Sequence, residues 1–228
     1  AVLVGDTHGD LEVSARVLKR YARKGYLVVL LGDYVDRGPR QVENANLLLI
    51  AKTEIPDSVV LLRGNHESPL TNRYYGFTSA VYERYGPEFY AHYARVFAQM
   101  PYALLLNGEI LCLHGGIAKG LEEVGQVLEL PKGDLLPGDP VAFQILWNDP
   151  SEYVSGFAES PRGPGIYLFG RDVAEEFMRA NSLKKIVRAH EYFPEGYHEY
   201  FEGSVLSLFS CRFYGAEPAV AVLEGGEL

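Results

Sequence analysis

Short apolar runs recur along the chain, and several of them end in a cluster of polar residues. Residues 27–31, LVVLL, form a run that is too short for a typical helix and contains two valines, so it predicts a buried β-strand. The polar sequence GDYVDRG occupies residues 32–38. Because these residues come directly after the strand, we expect them to form a loop at its carboxyl end.

The same pattern, a strand that ends on polar residues, occurs elsewhere in the chain. Further strands are predicted at residues 1–4, 58–62, 110–113 and 185–187. Amphipathic helices are predicted at residues 10–24, 41–52 and 171–181, with residues 47–50 as the buried side of the second. Strands that alternate with helices predict an α/β fold with a largely parallel arrangement, in which ligand sites lie outside the carboxyl ends of the strands.

The remaining segments predict a helical cover, a hairpin and a closing sheet. Residues 71–100 are rich in aromatic side chains and are predicted to be mostly helical. Residues 101–113 predict a β-hairpin that turns at Asn107 and Gly108. Residues 118–165 lack periodicity and contain many Gly and Pro residues, which predicts long surface loops around short elements. Residues 197–225 alternate or are apolar, and they predict a closing antiparallel sheet.

Composition indicates a single domain over residues 1–228 and argues against some functions. The formal net charge of -9, from 30 acidic and 21 basic residues, disfavours a general nucleic-acid binder. No apolar run reaches the roughly 18 residues of a membrane span, and no charged leader precedes the opening AVLVG, so no membrane association or signal peptide is expected. Cys112 and Cys211 are predicted to be buried free thiols, which favours a cytoplasmic protein.

Residues able to bind metal ions stand at the predicted strand ends. Of six histidines, His92 and His198 lie in helix-like and strand-like contexts, whereas the others directly follow strands. These others, with two aspartates and an asparagine, are His8, His66, His114, His190, Asp6, Asp33 and Asn65. Carboxylate, imidazole and amide ligands suit Mn, Fe, Zn or Co, and two such ions about 3.5–4 Å apart can clamp a phosphoryl group and activate water. A more ordinary alternative is that the two aspartates cap the helices that follow them.

Five motifs resemble the signature blocks of the PPP family of metal-dependent serine/threonine protein phosphatases. The motifs, in the order of that family, are GDTHG, GDYVDRG, LRGNHE, LHGG and RAHE. GNHE is common to calcineurin-like metallophosphoesterases, whereas GDYVDRG together with LWNDP at 146–150 and PRG at 161–163 is specific. The resemblance covers nearly the whole chain. It implies an α/β (in some schemes α+β) four-layer sandwich, in which two mixed β-sheets are flanked by helices and a dinuclear metal site lies at the carboxyl ends of the strands.

The resemblance also implies a reaction and a role for each site residue. It implies that phosphoserine and phosphothreonine in proteins are hydrolysed by in-line attack of a metal-bound hydroxide, with two divalent ions of which Mn is the expected one in vitro. One ion would be bound by Asp6, His8 and Asp33, and the other by Asp33, Asn65, His114 and His190. Phosphate would be held by Arg37 and Arg162, with Asn65 and Tyr214 as further substrate-binding residues. The leaving oxygen would be protonated by His66, paired with Asp36.

Two departures from the family pattern and two alternative functions are also part of the prediction. The usual YCG of the family is YGA at residues 214–216, and Glu191 replaces a glutamine beside a predicted metal ligand. The compact form is similar to prokaryotic, and in particular archaeal, members. The first alternative is a dinucleotide polyphosphate hydrolase with the same metal ions. The second is a catalytically silent module that binds phosphoproteins. Phosphoproteins are the expected partners, and the sequence identifies no regulatory subunit.

Overall fold

The first β-sheet is mostly parallel and brings the three amino-terminal strands together. A computed structural model describes residues 1–225 of the chain. The strands of this sheet are, in spatial order, β12 (Val220–Val222), β1 (Val2–Val4), β2 (Val28–Leu30) and β3 (Val59–Leu61). Strands β1, β2 and β3 run parallel, with Val2 opposite Val28 and Val28 opposite Val59, while β12 runs antiparallel to β1. The carboxyl ends of β1, β2 and β3 therefore lie at one edge.

The second β-sheet is mixed, and a small third sheet accompanies it. The strands of the second sheet are β10 (Tyr197–Tyr200), β11 (Val205–Leu208), β9 (Lys185–Arg188), β5 (Ile110–Leu113) and β4 (Ala103–Leu106) in spatial order. Strands β4 and β5 form the predicted hairpin, and its turn at Asn107 and Gly108 has φ values of 52° and 75°, as a type I′ turn requires. The third sheet consists of β6 (Asp149–Pro150), β8 (Tyr167–Phe169) and β7 (Phe157–Glu159).

Helices cover the outer faces of the two main sheets. They are α1 (Leu11–Arg20), α2 (Gln41–Glu54), α3 (Pro69–Tyr75), α4 (Phe77–Tyr85), α5 (Tyr90–Ala98), α6 (Pro140–Trp147) and α7 (Arg171–Ala180). Short 3₁₀ segments occupy Ala22–Lys24, Pro87–Phe89 and Val124–Glu129, and Phe201–Gly203 forms a tight turn with positive φ at all three residues. Asp10, Ser68 and Asp139 accept backbone hydrogen bonds at the amino ends of α1, α3 and α6, so local capping sets where these helices begin.

Three apolar layers hold the sheets and helices together. Leu3, Val29 and Leu31 of the first sheet region pack against Cys112 and Val187 of the second, so the two sheets meet face to face. The outer face of the first sheet packs on α1, α2, α4 and α5, and the outer face of the second packs on α6 and α7. Helices, sheet, sheet and helices thus form successive layers, and the predicted α/β class with mixed sheets flanked by helices is confirmed.

Three local predictions need correction. Residues 197–225 do not form one closing sheet, because β12 crosses to the free edge of β1 in the first sheet. Residues 118–165 consist of loops around short elements, as predicted, but no helix was predicted there and α6 begins at the Asp139 cap. Residues 47–50 are not a buried side of α2, since Ile50 is 60% exposed while Leu48 is buried. Four consecutive positions span more than three-quarters of a helical turn and cannot all face the core.

Two further predictions concern membrane-spanning helices and the state of the cysteines. No helix within residues 1–225 combines the length and the apolar character needed to cross a membrane. Cys112 and Cys211 are both buried and neither forms a disulfide, as expected. Burial raises the pKa of each thiol to about 12, so both are protonated and unreactive at neutral pH.

Candidate active site

Loops from both main sheets converge on one cleft of about 410 Å³. The loops after β1, β2 and β3 carry Asp6, His8, Asp33, Asn65 and His66, and the loops after β5 and β9 carry His114 and His190. All of the predicted site residues line the cleft except Asp36 and His114, which are fully buried behind it. The carboxyl ends of the strands therefore bring together residues that are far apart in the sequence, as the strand pattern predicts.

Two groups of potential metal ligands share Asp33. In one group, ligand atoms of His8, Asp33 and His66 lie within 4.8 Å of one another, and in the other those of Asp33, His114 and His190 do. The first group differs from the predicted set, because it contains His66 where the prediction has Asp6. Asp6 lies beside both groups, with its carboxylate 3.7 Å from His8 Nε2 and 4.0 Å from His114 Nδ1. It also accepts a hydrogen bond of 3.0 Å from the backbone N–H of His190.

His8 and His114 are both buried and present a lone pair to the centre. His8 Nδ1 donates to the carbonyl of Val35, and His114 Nδ1 donates to the carbonyl of Leu31, each at 2.9 Å. A neutral imidazole carries one N–H, so Nε2 of each ring is left as an acceptor that faces the carboxylates. Burial lowers the pKa of both rings well below the ordinary value. Both are therefore in the neutral form that binds metal ions.

The surroundings of the Asn65 side chain fit a cation. The terminal amide atom that faces the centre lies 2.9 Å from His114 Nε2, 3.0 Å from His190 Nδ1 and 3.1 Å from Asp33 Oδ2. These atoms are acceptors, so an amide oxygen among them is repelled unless the amide turns to donate from its nitrogen or a cation lies between the lone pairs. A cation would satisfy all of them at once, and the mixture of oxygen and nitrogen donors suits Mn, Fe, Zn or Co.

Burial makes the carboxylates of the centre difficult to ionise without a counter-charge. It raises the pKa of Asp6 to about 7 and that of Asp33 well above its ordinary value, and the neighbouring Asp6 and Glu67 raise the pKa of Asp33 further. A divalent ion bound between these groups would supply the missing positive charge. The donor set, the lone pairs and the buried carboxylates therefore all fit metal binding.

Glu67 fixes the two loops that carry Asp33 and Asn65. Its buried carboxylate accepts hydrogen bonds from the backbone N–H groups of Asp33 at 2.7 Å, Tyr34 at 2.9 Å and Gly64 at 2.9 Å. Gly64 is packed closely, because a Cβ at this position would meet Asp33 Oδ1 and lie 2.5 Å from Asp33 N. The loops after β2 and β3 are consequently held together without room for a side chain.

Several site residues have a backbone conformation that is uncommon for non-glycine residues. Positive φ values of 39° to 72° occur at His8, Asp33, Asp36, Arg37 and His190. Such conformations cost of order 1–3 kcal/mol each and persist where the surrounding contacts enforce them. Neither aspartate of the centre caps a helix, since Asp10 caps α1 and α2 has no side-chain cap. The alternative capping role of Asp6 and Asp33 is therefore excluded.

The carboxylate of Asp36, which has several hydrogen-bond partners, orients the ring of His66. Its Nδ1 lies 2.7 Å from Asp36 Oδ2, and Asp36 also accepts hydrogen bonds from the Asn72 amide at 2.9 Å and the Phe77 N–H at 3.0 Å. Nε2 of His66 points to the cleft and lies 3.9 Å from Asp33 Oδ2. Burial lowers the pKa of His66, and the contact with Asp36 opposes this effect. The pair places a potential proton donor at the cleft.

Two arginines line the cleft, Arg37 in the loop after β2 and Arg162 in the loop between β7 and β8. Arg37 is exposed and lies over the Tyr75 ring, with 4.3 Å between its Cζ and the ring centroid. Arg162 is held at one edge by Asp149, whose Oδ2 lies 2.5 Å from Nε and whose Oδ1 lies 3.4 Å from Nη2. Asp149 also accepts a hydrogen bond of 2.7 Å from the fully buried Arg188. The contacts of Asp149 with Arg162 and Arg188 were not predicted, although Asp149 belongs to the motif LWNDP.

Aromatic side chains complete the wall of the cleft. The ring centroid of Tyr214 lies 5.8 Å from that of His8 and 5.9 Å from Arg37 Cζ. The Tyr214 hydroxyl is buried and has no hydrogen-bond partner within residues 1–225. The other aromatic residues that line the cleft are Tyr75, Trp147, Tyr192 and Phe209. No site role was predicted for these four residues, because an aromatic residue in a motif is more often part of a core.

The sequence is similar to phosphoesterases. The profile of the calcineurin-like phosphoesterase family matches residues 1–194. The serine/threonine-protein phosphatase PP2A-like PPG1 of Candida albicans (strain SC5314 / ATCC MYA-2876) is 36% identical over 217 residues, which are 93% of this chain and 51% of that protein. The chain thus spans about half the length of this curated relative.

Solved structures show the same similarity. A protein serine/threonine phosphatase from Saccharomyces cerevisiae, with similarity to human phosphatase PP5, superposes with a TM-score of 0.90 at 29% identity over 100% of this chain and 75% of its own. A putative diadenosine tetraphosphatase has a TM-score of 0.55 at 17% identity over 99% of this chain and 89% of its own. At that identity, the second similarity concerns the fold alone.

Proposed function

This chain belongs to the calcineurin-like phosphoesterase family, and we propose that it hydrolyses phosphoserine and phosphothreonine in proteins with two divalent metal ions. The observation that carries the proposal is the pair of ligand groups joined at Asp33, beside the His66–Asp36 pair and two arginines. The phosphatases with 36% and 29% identity support this substrate class. We further propose that residues 1–228 act as one catalytic domain.

Six side chains would hold the two ions. They are Asp6, His8, Asp33, Asn65, His114 and His190, with Asp33 shared. When bound, the ions act as Lewis acids that counter the charge of a phosphate ester and lower the pKa of a coordinated water. We propose Mn as an activating metal in vitro, with Fe, Zn and Co as alternatives that the same ligand types accept.

Arg37 and Arg162 would bind the phosphate oxygens from two sides. A guanidinium can donate two parallel hydrogen bonds to a phosphate, and two cations reduce the repulsion between the dianion and an incoming nucleophile. The contact of Arg162 with Asp149 limits the orientations of its guanidinium, which lowers the entropy lost when substrate binds. The Tyr214 hydroxyl, which is buried and without a partner among the described residues, would donate to the same phosphate, and Asn65 would contact it from the metal side.

His66 would give a proton to the departing oxygen. A serine or threonine alkoxide is a poor leaving group, so its departure is accelerated by a positioned acid. Asp36 would hold the His66 ring through Nδ1, so that Nε2 carries the transferable proton towards the cleft. The carboxylate of Asp36 would also stabilise the imidazolium form before the transfer.

We propose that the protein acts in the cytoplasm, where phosphoproteins are its substrates. The two buried free thiols, Cys112 and Cys211, support a reducing compartment. Fractionation of the source cells, followed by detection of the protein with an antibody, tests this location. Recovery in the membrane or extracellular fraction would contradict it.

The decisive experiment compares substrates after the metals have been removed and restored. The protein is treated with a chelator, and phosphate release from phosphoserine and phosphothreonine peptides is measured after each of Mn, Fe, Zn and Co is added back singly. A dinucleotide polyphosphate is assayed at the same enzyme concentration. We expect at least one metal to restore release from the peptides above that from the dinucleotide.

Each other result supports a different function. Faster cleavage of the dinucleotide would favour a nucleotide hydrolase of the same fold. Absence of phosphate release with every metal, together with retained binding of the phosphopeptides, would favour a catalytically silent binding module. The variant Asp33→Asn is the matched control, because Asp33 belongs to both ligand groups and its loss should abolish the metal-dependent activity.

A further inference from the structure

A two-pronged ion pair joins the loop that carries Tyr214 to the loop that carries His8. Arg212 Nε lies 2.8 Å from Asp10 Oδ2, and Arg212 Nη2 lies 2.7 Å from Asp10 Oδ1. The backbone N–H of Arg212 donates to the same carboxylate at 3.0 Å. Parallel contacts of a guanidinium with a carboxylate have a fixed geometry and are stronger than single neutral hydrogen bonds. The pair therefore restricts the loop at the position of Arg212.

Asp10 is a rigid anchor for this contact. Its side chain is fully buried and also accepts a hydrogen bond of 3.2 Å from Val13 N, which caps α1. Glu12, in the first turn of α1, receives a second contact of 2.8 Å from Arg212 Nη1. Asp10 is two residues from His8, so the amino end of α1, a predicted metal-ligand loop and Arg212 form one connected unit.

Within the loop of residues 211–216, Arg212 is the residue whose side chain forms hydrogen bonds to another loop, while Tyr214 packs against the buried Phe209, Cys211 and Ala216. Backbone hydrogen bonds fix its flanks, where Ser210 N donates to Asp6 O at 3.0 Å and Glu217 N donates to Pro194 O at 2.8 Å. Within the loop, Phe213 is 49% exposed and Gly215 has a φ of 77°. Tyr214 stands between these two residues and lines the cleft, with its ring centroid 5.8 Å from that of His8 and its hydroxyl buried.

We propose that Arg212 is a positioning residue that holds the Tyr214 hydroxyl at the phosphate-binding cleft through its ion pair with Asp10. Arg212 itself does not line the cleft, so it would act through Tyr214. This role deepens the proposed phosphatase function and rests on it for the catalytic test. The anchoring of the loop is tested separately and does not depend on activity.

The first experiment measures anchoring by limited digestion with chymotrypsin, which cleaves after Phe and Tyr. Metal-free wild type, Arg212→Ala and Arg212→Lys are digested, and the rate of cleavage after Phe213 or Tyr214 is followed by mass spectrometry. Loss of charge-assisted hydrogen bonds should increase this rate about tenfold in Arg212→Ala. Arg212→Lys, which keeps one charged contact, should give an intermediate rate. Thermal unfolding identifies any variant that is globally destabilised.

A matched control tests whether the loss of any exposed ion pair has the same effect on cleavage as the loss of Arg212. Arg84 on α4 forms an ion pair of 2.6 Å with Glu43 on α2, away from the cleft. Arg84→Ala should leave both the cleavage rate at residues 213–214 and the phosphatase activity unchanged. Equal cleavage in Arg212→Ala and Arg84→Ala would overturn the anchoring role.

The second experiment is a double-mutant cycle with a phosphoserine peptide. Arg212→Ala and Tyr214→Phe should each lower kcat/KM about tenfold, the loss expected for a hydrogen bond to a charged group. The double variant should remain within about twofold of Arg212→Ala, because a displaced tyrosine has no further hydroxyl contact to lose. Multiplied losses of about a hundredfold would show that Arg212 acts independently of Tyr214. Arg212→Lys should recover part of kcat/KM, which a nonspecific structural defect would not predict.

These outcomes distinguish the two proposals. If wild type releases no phosphate from any peptide with any metal, the proposed function fails, and the chymotrypsin result still decides whether Arg212 anchors the loop. If wild type is active but Tyr214→Phe has no effect, the proposed function stands and the positioning role is overturned.

Discussion

At the scale of single residues, the protonation and orientation of each histidine in the site depend on the groups that it contacts. His8 and His114 are held as neutral acceptors by backbone carbonyls, whereas His66 is held by the carboxylate of Asp36. The same side chain therefore serves as a potential ligand or as a potential acid, depending on the atom that its Nδ1 meets. This difference leads to two predictions about individual side chains.

Replacement of His66 should affect substrates according to their leaving group. His66→Ala should lower kcat for a phosphoserine peptide by about 10²–10⁴-fold, the usual contribution of a positioned acid. The loss should be much smaller for an activated aryl phosphate, whose leaving group needs little protonation. Steady-state kinetics with both substrates measures the difference, and His92→Ala, an exposed histidine on α5, is the control. Equal losses for the two substrates would contradict the acid role.

Replacement of Asp149 should weaken substrate binding through Arg162. Asp149→Asn removes the charge that contacts both Arg162 and the buried Arg188, so we expect a higher KM for phosphopeptides and a loss of roughly 3 kcal/mol in the free energy of unfolding. Kinetics and urea unfolding measure the two effects. Asp172→Asn is the control, because Asp172 is an acceptor for Ser155 away from the cleft. An unchanged KM would exclude a positioning role for Asp149.

At the scale of elements, the site depends on how closely neighbouring strand-end loops approach each other. The loop after β3 passes so near the loop after β2 that Gly64 has no space for a side chain. Glu67 accepts hydrogen bonds from both loops. Backbone packing therefore helps to position Asp33 and Asn65, which are proposed ligands.

A methyl group at Gly64 should disturb both ligands. Gly64→Ala places a Cβ against Asp33, so we expect at least about a tenfold loss of metal affinity, the usual effect of disturbing the groups that orient a ligand. Titration of the metal-free protein with Mn²⁺ by isothermal calorimetry measures it. Gly125→Ala is the matched control, because a Cβ there meets no atom within 4 Å. The same Mn²⁺ affinity in both variants would show that the two loops can move apart without weakening metal binding.

Most helices and strands with a local signal were predicted, whereas a pairing between strands far apart in the sequence was not. Short apolar runs and the Asn107 and Gly108 turn identified the strands and the hairpin, because these depend on nearby residues. The pairing of β12 with β1 joins residues about 220 apart, and nothing in residues 220–222 themselves selects one sheet over the other. Helix α6 was missed although Asp139 and Pro140 form a start signal, because Gly and Pro residues around it dominated the interpretation.

At the scale of the whole molecule, the sequence predicted the family and the fold, and it named polar residues that the structure brings together at one cleft. The resemblance to PPP phosphatases and the layered fold are confirmed. The motifs identified the residue types, and the parallel strands explained why these residues meet. The proximity of His66 to His8 and Asp33, the contact of Asp149 with Arg162 and the aromatic wall depend on distances that no pattern of a single sequence encodes. The assignment of each ligand to one ion stays a prediction.

Without metal ions, the buried carboxyls should make stability fall as pH rises above 6.5. Burial raises the pKa of Asp6 and Glu67 to about 7 and raises that of Asp33 well above its ordinary value. A carboxyl with a raised pKa stabilises the folded state fully below its unfolded pKa of about 4, and this contribution is lost as pH rises through the folded pKa. The buried histidines have lowered pKa values, so they make stability rise with pH. This effect is confined to pH values below about 6.5, the pKa of an unperturbed histidine.

The metal ions should therefore stabilise the protein more at pH 8 than at pH 6.5. We expect the metal-free protein to lose about 1 kcal/mol or more across this interval. For a domain of this size that corresponds to roughly 2–4 °C in Tm. Thermal unfolding followed by circular dichroism, in chelator and in Mn²⁺ at each pH, measures the difference. An equal rise in Tm on adding Mn²⁺ at the two pH values would contradict the expectation.

The proposed ligands come from both main sheets, which has a mechanical consequence. Asp33 and Asn65 follow strands of the first sheet, whereas His114 and His190 follow strands of the second. An ion held by all four would fasten the rims of the two sheets, so that sliding or hinging of one sheet on the other would have to break coordination bonds. Chelation would then loosen the sandwich at this rim first, and amide hydrogen exchange in β2 and β9 would report that opening before the rest of the fold responds.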